Sequence, residues 1–208
     1  MRIAFIALGS RGDVQPYIAL GKGLQAAGHT VRLVTHENYE RLVNSHGLEF
    51  WPVQGNVQEF AESPEMRALL EKGNFIAIMN YAAKTTGQII MNWAKDGLPA
   101  CQGMDGIVAG LGGLFVGLAW AEKLNIPLLQ AYYVPFTPTR EFAGALLSPG
   151  VSRLGGTANR LSHHLTRQMM WQQGRRADTD ARRQILNLPA APFFGPFNAA
   201  AMKDTILY

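Results

Sequence analysis

Apolar positions near the N-terminus fall into two alternating rhythms. Ile3 to Leu8 is a short, nearly continuous apolar run, as expected of a strand buried on both faces of a parallel sheet. A helical spacing follows at about 15–27, with Ile18, Leu20 and Leu24 on one side and Gly28 as its stop. The rhythm then repeats. Thr30 to Thr35 reads as a strand, Glu37 to His46 as a polar helix stopped by Gly47, and Leu48 to Val53 as a third strand whose Pro52 marks its end or a sheet edge. Strand and helix alternating at this spacing predict βαβ units and an α/β fold with a Rossmann-like, doubly wound parallel sheet.

Residues 54–63 read as a loop, and Ser63-Pro64-Glu65 opens a helix, since serine caps and proline fits the first turn. From Asn74 to Ala94 the pattern is helical and apolar, with Phe75, Ile78, Met79, Ile89, Ile90, Met91 and Trp93. Such a stripe serves a core, or walls a site for a greasy substrate. Gly106 to Ala109 is a fourth strand, and Gly110-Leu111-Gly112-Gly113 opens the helix to Leu124. Those glycines partly imitate a dinucleotide fingerprint, but Phe115 stands where its last Gly or Ala belongs. Close helix–strand packing is the better reading. Ile126 to Tyr133 is a fifth strand, and the irregular loop 134–139 leaves it on the same edge as the first loop. Residues 144–156, rich in Gly and Ser, predict a mobile loop before a long helix at Thr157–Leu186.

That helix and its approach carry Arg153, Arg160, Arg167, Arg175, Arg176, Arg182 and Arg183 against Asp178 and Asp180. The basic surface so predicted is either a solvated face or one turned towards anionic lipid or a partner domain. His163 and His164, adjacent on a helix, point apart and make a poor metal pair. Thr205 to Tyr208 reads as a final strand.

Composition narrows the class. The 208 residues are 48% apolar and 16% charged, with no apolar stretch long enough for a transmembrane helix. Arg2 leads straight into a strand, so no signal peptide is expected and the predicted location is the cytoplasm, with peripheral contact to a membrane open. The single cysteine, Cys101, excludes an internal disulfide and reads as a buried, idle thiol. A net charge of +4 is modest. Without helix-turn-helix, RNP or zinc-finger spacing, nucleic acid is not the expected partner; an anionic membrane surface or a phosphorylated ligand suits the charge.

Candidate chemistry gathers in the loop Gly9-Ser10-Arg11-Gly12-Asp13-Val14-Gln15-Pro16. It leaves the carboxyl end of the first strand, the edge where ligands collect in open α/β sheets. Two glycines permit a sharp turn. Asp13 stands where a helix N-cap belongs and also offers a carboxylate for general base work. Ser10 is placed to orient an acceptor, touch a phosphate or satisfy the turn. Arg11 is placed to pair with a phosphate or with Asp13, or to stay solvated. His36 and Glu37, at the end of the second strand, line the cleft or cap the next helix.

The loop at 9–16, followed by Ala27-Gly28-His29, resembles the N-terminal half of GT-B glycosyltransferases, closest to the sterol, macrolide and glycopeptide-antibiotic branch of families 1 and 28. Val31-Arg32-Leu33-Val34-Thr35-His36-Glu37 and Ser45-His46-Gly47-Leu48-Glu49-Phe50 are most similar to the sterol or lipid 3-β-glucosyltransferases. Asn159-Arg160-Leu161-Ser162, Trp171 and Leu186-Asn187-Leu188-Pro189 extend the match over nearly the whole chain.

The resemblance implies an inverting, metal-independent transferase that moves a hexose from a UDP- or dTDP-sugar to the hydroxyl of an apolar acceptor such as a sterol, lipid or polyketide. It implies that residues 1–208 are the acceptor-binding domain, and that the donor-binding domain lies outside this sequence. On that resemblance Asp13 is the base, and Ser10, Arg11, Gly12, His36, Phe136 and Thr137 are candidate acceptor or donor contacts. The helices at 74–94 and the loop 134–147 wall the pocket. No metal and no resident cofactor are implied; the nucleotide-sugar is a co-substrate. Two other classes stand beside this one. A stand-alone lipid- or protein-binding module would use the same cleft without transfer, and a dinucleotide-dependent reductase is disfavoured because the first loop lacks the glycine fingerprint.

Overall fold

The computed structural model describes residues 1–55, 63–71, 75–147, 149–197 and 206–207. Its strands are β1 Arg2–Ile6, β2 Thr30–His36, β3 Glu49–Val53, β4 Gly106–Ala109, β5 Leu128–Ala131 and β6 Ile206–Leu207. They form one parallel sheet in the order β3-β2-β1-β4-β5-β6. The order reverses between β1 and β4. That reversal opens a crevice at the carboxyl ends of the two strands. Pro52 sits in β3, an outer strand, as a residue without a donor should.

The helices are α1 Arg11–Ala26, α2 Glu40–Ser45, α3 Pro64–Glu71, α4 Phe75–Cys101, α5 Leu114–Leu124 and α6 Gly156–Ala181. The period of two in β1 divides them between two cores. Phe5 and Ala7 point to one side, with Val14, Tyr17 and Ile18 of α1 and Val43 of α2. Ala4, Ile6 and Leu8 point to the other, with Trp93 of α4 and Trp120 of α5. β1 is therefore apolar on both faces, which is why its sequence does not alternate.

Several boundaries differ from the expected ones. The first helix starts at Arg11, so Asp13 lies inside it and the extended Ser10 is its N-cap. The apolar run ends as a strand at Ile6, yet Ala7 and Leu8 stay buried and the Ala7 N–H still donates to the Val34 carbonyl. The helix expected at 74–94 continues through Pro99 to Cys101, while most of the loop expected at 54–63 lies outside the described residues. Ser63 caps as expected, its Oγ accepting from the Met66 N–H at 3.3 Å. Residues 144–156 contain a 3-10 turn, Pro149–Leu154, and α6 passes into a π-turn at Arg182–Leu186.

The glycines at 110–113 pack as expected. A Cβ on Gly112 would lie 1.9 Å from the Leu8 carbonyl oxygen, and one on Gly113 would lie 2.4 Å from Ile6 Cγ2. α5 can approach β1 only because those side chains are absent. Cys101 is fully buried, and burial pushes its thiol up to about 12 despite the lowering effect of Arg32.

The basic surface needs correction. Arg167 and Arg182 are buried, so they do not contribute to it. Arg167 lies against the Phe136 ring and donates through Nε to the Phe136 carbonyl at 3.1 Å. Arg182 pairs with Glu122 at 2.7 Å and donates to the Pro189 carbonyl at 2.8 Å.

Candidate functional site

Two sequence choices put a carboxylate at the crevice. Gly9 takes φ +138°, a conformation open to glycine, and turns the chain from the buried run into α1. Ser10 then caps the helix, and Asp13, three residues later, reaches back to it. Asp13 Oδ2 accepts from the Ser10 N–H at 2.7 Å and from Ser10 Oγ at 2.8 Å. Oδ1 accepts from the phenol of Tyr133, which follows β5. A Cβ on Gly9 would sit 2.5 Å from Oδ2, so glycine also makes room for the carboxylate.

His36 lies beneath this turn rather than lining the cleft. It is buried, its Nε2 accepts from the Gly9 N–H at 3.2 Å, and its ring lies 5.8 Å from that of Trp93. The Nε2 that accepts an N–H carries no proton itself, so His36 supports the turn as a neutral base. Neither His36 nor Asp13 caps in the way expected from sequence. No side-chain cap bond forms at His36, and the exposed Glu37 opens a 3-10 turn that leads into α2.

Arg11 is exposed and donates through Nε to Gln15 at 3.3 Å, one turn along the helix, rather than to Asp13. Gly12 is exposed too, and a Cβ there would make only an ordinary contact with Ser10 Oγ at 3.6 Å. Phe136 is drawn into the core, its ring against Tyr132 and Phe197 with Arg167 stacked on it. Thr137 beside it is half-buried. The structure therefore unites Gly9, Ser10, Asp13 and, beneath them, His36. Phe136 stands apart in the aromatic core.

The residue that sequence reading missed is Tyr133. The apolar pattern extends the fifth strand through Tyr133. The strand ends instead at Ala131, and Tyr133 turns back over the crevice. Its ring meets Tyr17 edge-on at 6.1 Å, and the Tyr17 hydroxyl donates to the Ala131 carbonyl. Both phenols are held above their usual range, first by burial. Asp13's charge adds to this for Tyr17, and both the hydrogen bond and the charge of Asp13 add to it for Tyr133.

The expected walls are placed only in part. Ile89 and Trp93 of α4 belong to the core, and the side chains of Phe75, Ile78 and Met79 lie outside the described residues. A shallow groove of about 470 Å³ beside the carboxyl end of β3 is lined by Glu37, Trp51, Gln54 and Asp96. A cavity of about 650 Å³ lies at the opposite, amino edge of β5, bounded by Asn125, Pro127, Asp178, Arg182 and Pro192. It is remote from the Asp13 loop. Among the described residues, no group of three His, Cys, Asp or Glu side chains is placed to hold a metal ion. None of their helices is long and apolar enough to cross a membrane.

A parallel sheet flanked by helices, its strand order reversing between β1 and β4, defines a Rossmann-like α/β domain. The chain belongs to the glycosyltransferase family 28 N-terminal domain, which matches residues 3–143. It is 34% identical over 194 residues to a sterol 3-beta-glucosyltransferase of Neurospora crassa, covering 91% of this chain and 12% of that protein. It is 35% identical over 197 residues to a sterol 3-beta-glucosyltransferase of Cryptococcus neoformans, covering 93% and 12%. The chain thus spans only a small part of these curated relatives. SsfS6, a glycosyltransferase of Streptomyces sp. SF2575, shares the fold with a TM-score of 0.52 at 19% identity, covering 92% of this chain and 48% of that one.

Proposed function

We propose that this chain is the acceptor-binding domain of an inverting glycosyltransferase, and that a donor-binding domain completes the cleft in the full-length protein. The acceptor is an apolar molecule with one reactive hydroxyl, a sterol by preference. The donor is a nucleotide-diphosphate hexose. The observation that carries this reading is the Asp13 carboxylate, held by Ser10 at the switch point of the sheet. Its setting in a chain about one third identical to sterol 3-beta-glucosyltransferases supports the choice of acceptor.

Asp13 acts as general base. With Oδ2 held by two donors of Ser10, Oδ1, held by the Tyr133 phenol in the resting structure, is the oxygen that takes the proton of an incoming hydroxyl at about 3 Å. The acceptor oxygen then forms its bond to the anomeric carbon as the bond to the diphosphate breaks, the electron pair leaving on the nucleotide. No metal is needed on this reading: oriented backbone dipoles of the donor side stabilise the departing phosphate. Arg11 and Gly12, exposed at the start of α1, and the half-buried Thr137 serve as acceptor or donor contacts. His36 and Phe136 take supporting roles, the first under the Gly9 turn and the second in the core.

The test is sugar transfer by the full-length protein across a panel of nucleotide-sugars, with a sterol and a macrolide as acceptors. Glycoside formation on the sterol is the expected result. Failure of every donor to bind, together with retention of the sterol by this domain, would favour a lipid-binding module instead.

A further inference from the structure

The resting structure contains a feature that catalysis by Asp13 must undo. The proton-accepting oxygen, Oδ1, is occupied by the Tyr133 phenol. A phenol O–H donating to a carboxylate oxygen is bound as an acceptor O–H would be. Tyr133 is followed by the exposed Val134 and Pro135, between the buried Tyr132 and Phe136. Tyr133 is 40% exposed, whereas Tyr17, on which its ring rests, is 3% exposed. Of the three donors on Asp13, two belong to Ser10, the residue that caps α1. The third is the one that can leave without unwinding a helix.

We propose that Tyr133 is a specificity-determining residue that holds Oδ1 of Asp13 until an acceptor hydroxyl replaces it, and so denies that oxygen to water. The inference rests on the assignment of Asp13 as base. Replacement exchanges one O–H···O bond for another, so the hydrogen-bond count at Oδ1 does not change. Displacing the ring from Tyr17 gives up an aromatic contact. An apolar acceptor offsets that loss by covering the exposed Tyr133–Val134–Pro135 surface, whereas water brings no apolar area. The fully protonated state of the phenol, favoured by partial burial and by Asp13, keeps it a donor rather than a competing base.

The step at stake is hydrolysis of the donor. Water on Oδ1 would lose a proton to Asp13, its oxygen would bond to the anomeric carbon, and the carbon–oxygen bond to the nucleotide diphosphate would break. The products would be free sugar and nucleotide diphosphate in place of a glycoside. A transferase working on a scarce apolar acceptor in water gains selectivity by keeping its base covered.

The experiment compares Tyr133→Phe with the unaltered full-length protein, measuring nucleotide diphosphate release without acceptor and glycoside formation with it. Phenylalanine keeps the ring against Tyr17 and removes the donor; Tyr133→Leu serves if the first variant fails to fold. The ratio of acceptor-independent release to glycoside formation should rise about tenfold, the scale of one lost hydrogen bond. An unchanged ratio, with Asp13→Asn still abolishing transfer, overturns the role of Tyr133 and leaves the base in place. Full transfer by Asp13→Asn overturns the base assignment itself, and this inference with it.

Discussion

At the scale of single residues, the site is a small set of donors arranged around one carboxylate, and Gly9 is a position that tolerates a side chain poorly. Its φ of +138° excludes ordinary side chains, and a Cβ would press on Asp13 Oδ2 at 2.5 Å. Gly9→Ala should cost about 1–3 kcal/mol of stability. It should also lower turnover by more than that loss explains, because the carboxylate is pushed off its Ser10 donors. Thermal unfolding and kcat measured on the same preparation separate the two effects. Much of this constellation was legible in the sequence. Ser10 and Asp13 lie three apart at a strand-to-helix junction, and helix-start chemistry reads such pairs directly. What sequence could not fix was the direction of His36 and the reach of Tyr133. A polar residue ending a strand can face outward or fold under the next turn, and His36 does the latter. The Tyr133–Asp13 bond joins residues 120 apart, and no local spacing encodes it.

At the scale of elements, the site depends on how closely α5 and its entering turn approach β1. Gly112 sets that distance. Its missing Cβ would meet the Leu8 carbonyl at 1.9 Å, and backbone cannot give way as a side chain end can. Gly112→Ala should therefore destabilise the domain by about 1–3 kcal/mol, the usual cost of overpacking. A lower urea midpoint at unchanged slope would register it. Strands and helices were recovered in the right order because their apolar rhythms are set by burial on both faces of the sheet. Their ends were read less well. Ala7 and Leu8 are apolar because they are buried, not because they lie in a strand. Arg167 and Arg182 read as surface charge because a sequence cannot display the carbonyls and the carboxylate that receive them inside the fold.

At the scale of the whole molecule, the two edges of the sheet carry different chemistry. The amino edge holds Asp178, whose carboxyl is raised to about 6, mainly by burial and further by Glu122, against the opposing pull of Arg182. The folded protein thus binds this proton more tightly than the unfolded chain. The contribution of Asp178 to stability falls as pH rises from about 4 to about 6, by on the order of 2–3 kcal/mol. Asp178→Asn should remove that slope and be the more stable form at pH 7. Unfolding of both proteins across this range is the check. The carboxyl edge holds the Asp13 constellation, which on the proposed function deprotonates an apolar acceptor. The most direct measurement is transfer of a hexose from a nucleotide-sugar to a sterol by the full-length protein, with and without Asp13→Asn. Glycoside formation should fall by at least about a hundredfold in the variant, the scale of general-base catalysis, while the variant keeps its fold. Undiminished transfer by a folded Asp13→Asn protein would contradict it.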